Sequence, residues 1–123
     1  MTQLVALLSS GKGTWGQVSG LIKRGEWEKI TIVGGDFAKN FIVQGIPFDF
    51  VEVDLDKPLA MLKKELLEKL KPKIDLDSGF GAEVALSIAS GNGKQHMALI
   101  SALLSVPVGV RFTALTKDGV VFL

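Results

Sequence analysis

"QLVALLSSGKGTWGQVSGLIKRG", residues 3 to 25, sets the frame for the whole chain. An apolar run of strand length, Gln3 to Leu8, passes two serines and a glycine-lysine turn. From Thr14 onward the period changes. Trp15, Val18, Leu21 and Ile22 recur on one helical face, and Gly25 supplies a stop. An apolar strand followed at once by an amphipathic helix is half of a strand-helix-strand crossover.

The unit recurs along the chain. Lys29 to Val33 reads as a second strand, and Asp36 as the N-cap of a helix carrying Phe37, Phe41 and Ile42 inward, stopped by Gly45 and Pro47. Phe48 to Val53 is a third strand. Pro58 then opens a helix whose Leu59, Leu62, Leu66 and Leu70 form a stripe beside Lys63, Lys64, Glu65 and Lys69. Residues 72 to 82 have no clear period and read as a loop. Glu83 to Ala89 alternates as a fourth strand, and "SGNGKQHM" leads into a helix from Lys94 to Ser105. That helix is apolar over most of its surface, through Met97, Ala98, Ile100, Ala102, Leu103 and Leu104, so it is expected to be deeply buried or at a subunit contact. Val108 to Leu115 is a fifth strand; after the turn Lys117-Asp118-Gly119, Val120 to Leu123 returns beside it. The pattern predicts an α/β protein, one domain over residues 1–123. The expected architecture is a Rossmann-like three-layer sandwich, with a mostly parallel sheet in order 3-2-1-4-5-6 ending in an antiparallel β-hairpin.

Composition narrows the chemistry. Fourteen basic and thirteen acidic side chains leave a net charge of +1, which provides no general field for duplex nucleic acid or an anionic membrane. The absence of cysteine excludes disulfides, thiolate metal sites and a cysteine nucleophile, and one histidine cannot build a histidine zinc site. Met1 to Leu4 carries no basic leader, and Met97 to Val110 is interrupted by Ser101, Ser105 and Pro107. Neither a signal peptide nor a membrane span is expected, and the expected location is the cytoplasm.

Any anion site must therefore be local, and two loops are candidates. In an open parallel sheet, ligands bind beyond the carboxyl ends of the strands where the strand order reverses. With the order above, "SSGKGTWG" and "SGNGKQH" meet there. Their glycines let backbone N–H groups approach an anion, each precedes a helix amino terminus, and Lys12 and Lys94 add full charges. Neither is a P-loop, because Ala6 and Ile88 stand where its first glycine belongs. Gly11-Lys12-Gly13-Thr14-Trp15-Gly16 does spell G-x-G-x-x-G, with Asp36 twenty residues beyond Gly16 where a dinucleotide site keeps its ribose-binding acid. In that fingerprint the strand runs nearly into the first glycine, whereas Ser9 and Ser10 intervene here.

From the fourth strand onward, "EVALSIASGNGKQHMALISALL" with the following strand and hairpin resembles the CARF family, CRISPR-associated Rossmann-like domains that sense cyclic oligoadenylates. The resemblance lies in architecture over nearly all 123 residues and in two loop positions. One is a hydroxyl-rich loop after the first strand. The other is a Gly-Gly-Thr-Lys-like loop after the fourth, written here Gly91-Asn92-Gly93-Lys94, with the lysine retained and the threonine replaced. It implies a homodimer whose paired loops surround one cyclic RNA ring. Some members cut that ring without metal or cofactor by attack of a ribose 2′-hydroxyl on the adjacent phosphate, a reaction that asks for positioning and cations on the developing charge. The resemblance then implies that Lys94 stabilises the charged state and that Ser9 or Ser10 orients the phosphate or ribose, Ser10 being taken as the catalytic partner of Lys94. The implied ligand contacts are Ser9, Ser10, Gly11, Lys12, Gly13, Thr14, Trp15, Asn92, Gly93, Lys94 and His96. With no effector domain within these residues, a stand-alone sensor or ring-opening enzyme is implied.

Plainer roles stand beside these. Thr14 suits a helix N-cap and Trp15 packing on the sheet; Ser9 and Ser10 could satisfy loop backbone groups, and Lys12 and Lys94 could be solvated. Asp36 reads as N-cap or ribose ligand, while Asp54 and Asp56 read as caps of the next helix or as magnesium ligands. Trp27 reads as strand-edge packing, and Arg111 as pairing across the hairpin or a dimer. A non-catalytic dinucleotide-binding domain and a purely structural dimerisation partner are the alternatives.

Overall fold

The computed structural model describes residues 2–76 and 82–123, with Lys12 described through its backbone alone. The part of the expected 72–82 loop that covers 77–81 lies outside the described residues. Six strands, β1 (Thr2–Leu8), β2 (Trp27–Gly34), β3 (Asp49–Glu52), β4 (Glu83–Ser87), β5 (Gly109–Thr116) and β6 (Gly119–Phe122), form one sheet in the order β3-β2-β1-β4-β5-β6. All pairings are parallel except the closing β5–β6 hairpin.

β1 lies at the centre, and every residue from Gln3 to Leu8 is buried because both faces of the sheet are covered. Strand alternation splits the core in two. Val5, Leu7, Val33, Val51, Val84 and Leu86 face α2 (Leu59–Leu70) and α3 (Gly93–Leu104), whereas Leu4, Ala6, Leu8, Ile30 and Ile32 face α1 (Trp15–Arg24). Helices on both faces make the three layers that the sequence predicts. Val18, Leu21 and Ile22 anchor α1, Leu62, Leu66 and Leu70 anchor α2, and Leu99 and Leu103 are among the residues that anchor α3. Each of these large side chains contributes about 1.5–3 kcal/mol by leaving water. Gln3 is a polar residue inside this core. Its Nε2 donates to the Asp75 carbonyl and its Oε1 accepts from the Asp75 amide, both at 2.7 Å, so burial leaves its amide satisfied and pins residue 75 to β1.

One expected helix is absent. Asp36–Ala38 is a single 3-10 turn, and the Asp36 side chain makes no capping bond. Beyond it Phe41 and Val43 are buried against the α1 layer while Ile42 between them is 78% exposed, the alternation of extended chain. The short stretch between the Gly34-Gly35 pair and Gly45 gives little room for a helix nucleus, and Phe41, Ile42 and Val43 are weak helix formers. The expectation of Phe37 and Ile42 inward fails with it, since both are exposed. Among the described residues no helix is long and apolar enough to cross a membrane.

Candidate ligand cradle at the strand switch point

The strand order reverses between β1 and β4, so their carboxyl-terminal loops leave the same edge of the sheet side by side. They are joined. The Ser9 amide donates to Ser90 Oγ at 2.8 Å, and the two hydroxyl oxygens are also 2.8 Å apart. Ser90 is 1% exposed and Ser9 half-buried, so Ser90 is committed to this junction beneath the loops. Gly91 then takes φ +109°, and a Cβ there would lie 2.5 Å from Leu7 Cδ2. Only glycine lets the loop turn over the end of β1 this closely.

The turn delivers a well-formed helix start. Asn92 Oδ1 accepts from the Gln95 amide at 2.9 Å and Gln95 Oε1 accepts from the Asn92 amide at 3.2 Å, a reciprocal capping box. On the other side, Lys12–Thr14 form a 3-10 turn leading into α1. Thr14 occupies the N-cap position but does not cap: its hydroxyl donates back to the Gly11 carbonyl at 3.0 Å, tightening the loop instead. No acidic residue lies in the first turn of α1 or α3, so both positive helix ends remain uncompensated by their own sequence. Ser10, Gly11, Gly13, Asn92 and Gly93 are exposed along this rim.

Three side chains are held more firmly than the sequence alone discloses. Trp15 donates Nε1–H to the Ser9 carbonyl at 3.0 Å and packs against Phe37 and, edge-on, Phe41, which gives it the packing role. His96 Nε2 stands 2.9 Å from the Ser90 carbonyl; a carbonyl only accepts, so that nitrogen carries the hydrogen. Lys94 is drawn away from the rim: its Nζ donates to the Lys57 carbonyl at 2.8 Å, in the loop before α2.

The dinucleotide fingerprint fits poorly in three dimensions. Its third glycine exists to let helix and strand pack closely, yet a Cβ on Gly16 or Gly13 would meet nothing within 4 Å. No protein-family model matches the chain, and no curated protein matches its sequence significantly.

Beside the cradle, over the ends of β2 and β3, opens a cleft of about 640 Å³. Ser10 and Gln95 form the wall shared with the cradle, and the remainder carries Asp36, Glu52, Asp54, Asp56 and Glu65 against one cation, Lys69. Glu65 is the hub. Lys57 and Lys69 bond it at 2.6 and 2.9 Å and hold its carboxyl below the ordinary carboxylate range, while Glu65 in turn raises the Lys57 ammonium. Lys69 also donates to the Glu52 carbonyl at 2.6 Å. Asp54 accepts the Asp56 amide at 3.0 Å and so builds a turn; neither carboxylate caps α2, whose N-cap position is Pro58. Asp36 pairs with Lys39 at 2.7 Å. Among the described residues no group of three His, Asp or Glu is placed to hold a metal. Elsewhere, Trp27 packs on Phe122 and Arg111 lies 5.3 Å from the centre of the same ring, within the hairpin.

Of the residues singled out from sequence, Ser9, Ser10, Gly11, Gly13, Thr14, Asn92, Gly93 and His96 belong to the two loops or the first turns of the helices they start. Ser90 and Gln95 were not among them, although Asn92-x-x-Gln95 spells a capping box.

Proposed function

We propose that the chain binds a cyclic oligoadenylate across two copies of this cradle, with cyclic tetra-adenylate the first candidate. The observation that carries the reading is the Ser9–Ser90 junction, which holds together two glycine-rich loops, each leading into a helix whose first turn carries no acidic residue. Backbone amides and dipole ends of that kind favour phosphate oxygens. The neighbouring cleft is less suited, because five carboxylates against one lysine line it. The ring phosphates therefore sit on the rim, and a second copy supplies the other half of the enclosure.

A surface suited to that copy lies along α3, where Met97 and Leu104 are 57% and 68% exposed one helical face apart from the core. The resemblance to CARF domains read from the two loops in the sequence implies the same pairing. Ring opening on this reading is attack of a ribose 2′-oxygen on the adjacent phosphorus: the P–O2′ bond forms as the P–O5′ bond breaks, the 2′-hydroxyl proton passes to solvent water and the departing 5′-oxygen takes one from it, leaving a 2′,3′-cyclic phosphate and a free 5′-hydroxyl. Ser10, exposed at the crest of its loop, orients the phosphate, and Lys94, once turned to the rim, carries the developing charge.

Melting the protein with cyclic tetra-adenylate, cyclic hexa-adenylate or NAD tests the reading, since only a bound ligand raises the midpoint. A shift with a cyclic oligoadenylate is expected. A shift with NAD alone overturns it in favour of a dinucleotide site, and no shift with any of the three leaves a structural role. Mass spectrometry of the same mixtures distinguishes cleavage from sensing: a linear product without added metal, lost in Lys94→Ala, identifies a ring nuclease.

A further inference from the structure

Lys94 presents a conflict that points to a conformational device. It belongs to the first turn of α3, beside the cradle, yet its ammonium is bonded to the Lys57 carbonyl across 37 residues of sequence. Lys57 is no ordinary loop residue. Its amide closes a turn on the Asp54 carbonyl at 3.2 Å, and its own ammonium bonds Glu65 in α2. Residues 54 to 56 of that turn line the acidic cleft. One lysine therefore ties the anion-binding edge of α3 to the wall of the neighbouring cleft.

We infer that Lys94 is a latch. In the free protein it holds the loop of residues 54–57 through the Lys57 carbonyl, and an anionic ligand on the cradle draws the ammonium to itself and releases that loop. The release rests on the proposed phosphate-bearing ligand; the latch itself does not. The physical basis is competition for one ammonium. A neutral carbonyl is a weaker partner for a cation than a phosphate oxygen, so a phosphate within reach of the Lys94 stem displaces it. The four-carbon stem allows the swing without moving the helix. Loss of the bond removes the contact made by α3 on the Lys57 carbonyl, and the acidic wall of Asp54 and Asp56 loosens. The cleft then becomes the place where occupancy of the cradle is read out, 54–57 being the segment whose order changes.

Backbone hydrogen exchange at Asp56 and Lys57, the two amides held inside this turn, tests the idea. In ligand-free protein, Lys94→Met keeps the stem and removes the donor; exchange at both amides is expected to rise about tenfold, with exchange in β1 unchanged. Lys94→Arg, which keeps a charged donor, should hold the rise well below that. Saturating cyclic tetra-adenylate should produce a similar rise in wild type and none beyond it in Lys94→Met. Unchanged exchange in ligand-free Lys94→Met overturns the latch. A melting shift with ligand but unaltered exchange at Asp56 and Lys57 overturns the release while leaving the binding reading intact. Absence of any melting shift with cyclic oligoadenylates, alongside faster exchange in Lys94→Met, overturns the binding reading and the release together and leaves the anchor.

Discussion

Single residues at the switch point carry more structural weight than their small size suggests. Gly91 combines a left-handed φ with a contact that leaves no room for a Cβ against Leu7. Gly91→Ala is expected to cost about 2–5 kcal/mol, from backbone strain and overpacking together, measured as a loss of unfolding free energy in urea. Ser90→Ala leaves the Ser9 amide without its buried acceptor and should cost about 1–3 kcal/mol, read in the same way. A Gly13→Ala change, by contrast, meets open space and should leave stability within about 0.5 kcal/mol, so any effect it has on ligand binding reports on the rim itself. The glycines of "GKG" and "SGNG" look alike as letters. Their surroundings, which only the folded chain supplies, make Gly91 obligatory for the fold and Gly13 dispensable to it.

At the scale of elements, the helices with a strong apolar period were legible, and the one expected on two spaced aromatics does not form. Leu62, Leu66 and Leu70 repeat at every turn of α2, so periodicity marks that helix unambiguously. Asp36 followed by Phe37 and Phe41 imitates the same signal, yet the chain there alternates Phe41 in, Ile42 out and Val43 in, and packs as extended backbone beside Trp15 and Phe48. Two spaced aromatics satisfy a helical and an extended template equally until their neighbours are placed. The Asn92–Gln95 capping box fixes where α3 begins, and Asn92→Ala should lower stability by about 1 kcal/mol. The Glu65 hub that links α2 to the preceding loop adds a pH dependence. Its carboxyl ionises more readily in the folded chain than in the unfolded one, so its contribution is complete above the ordinary carboxylate range and disappears as pH falls through the lowered folded value. Glu65→Gln should therefore lose stability relative to wild type at neutral pH, and the gap should close in acid. Unfolding curves of both proteins across that range check the sign.

For the molecule as a whole, the proposed pairing makes a direct demand on solution behaviour. Sedimentation should show a dimer, and Met97→Glu with Leu104→Glu, both exposed on α3, should yield a folded monomer with weakened binding of cyclic tetra-adenylate. A wild-type monomer at all concentrations would remove the second half of the cradle. The strand succession, the apolar stripes of α1 and α2 and the closing hairpin follow from the sequence alone, because period-two and period-3.6 burial are local consequences of backbone geometry, whereas the face of the sheet that each helix covers comes from the structure. The meeting of the two glycine loops also follows, once strand order puts β1 beside β4. What tertiary structure alone decided is where the polar groups went: Ser90 into a junction with Ser9, Lys94 onto a carbonyl in another crossover, and five carboxylates into a cleft next to the cradle. A hydrogen bond depends on distance and direction between groups far apart in the chain, and residue order holds no record of either.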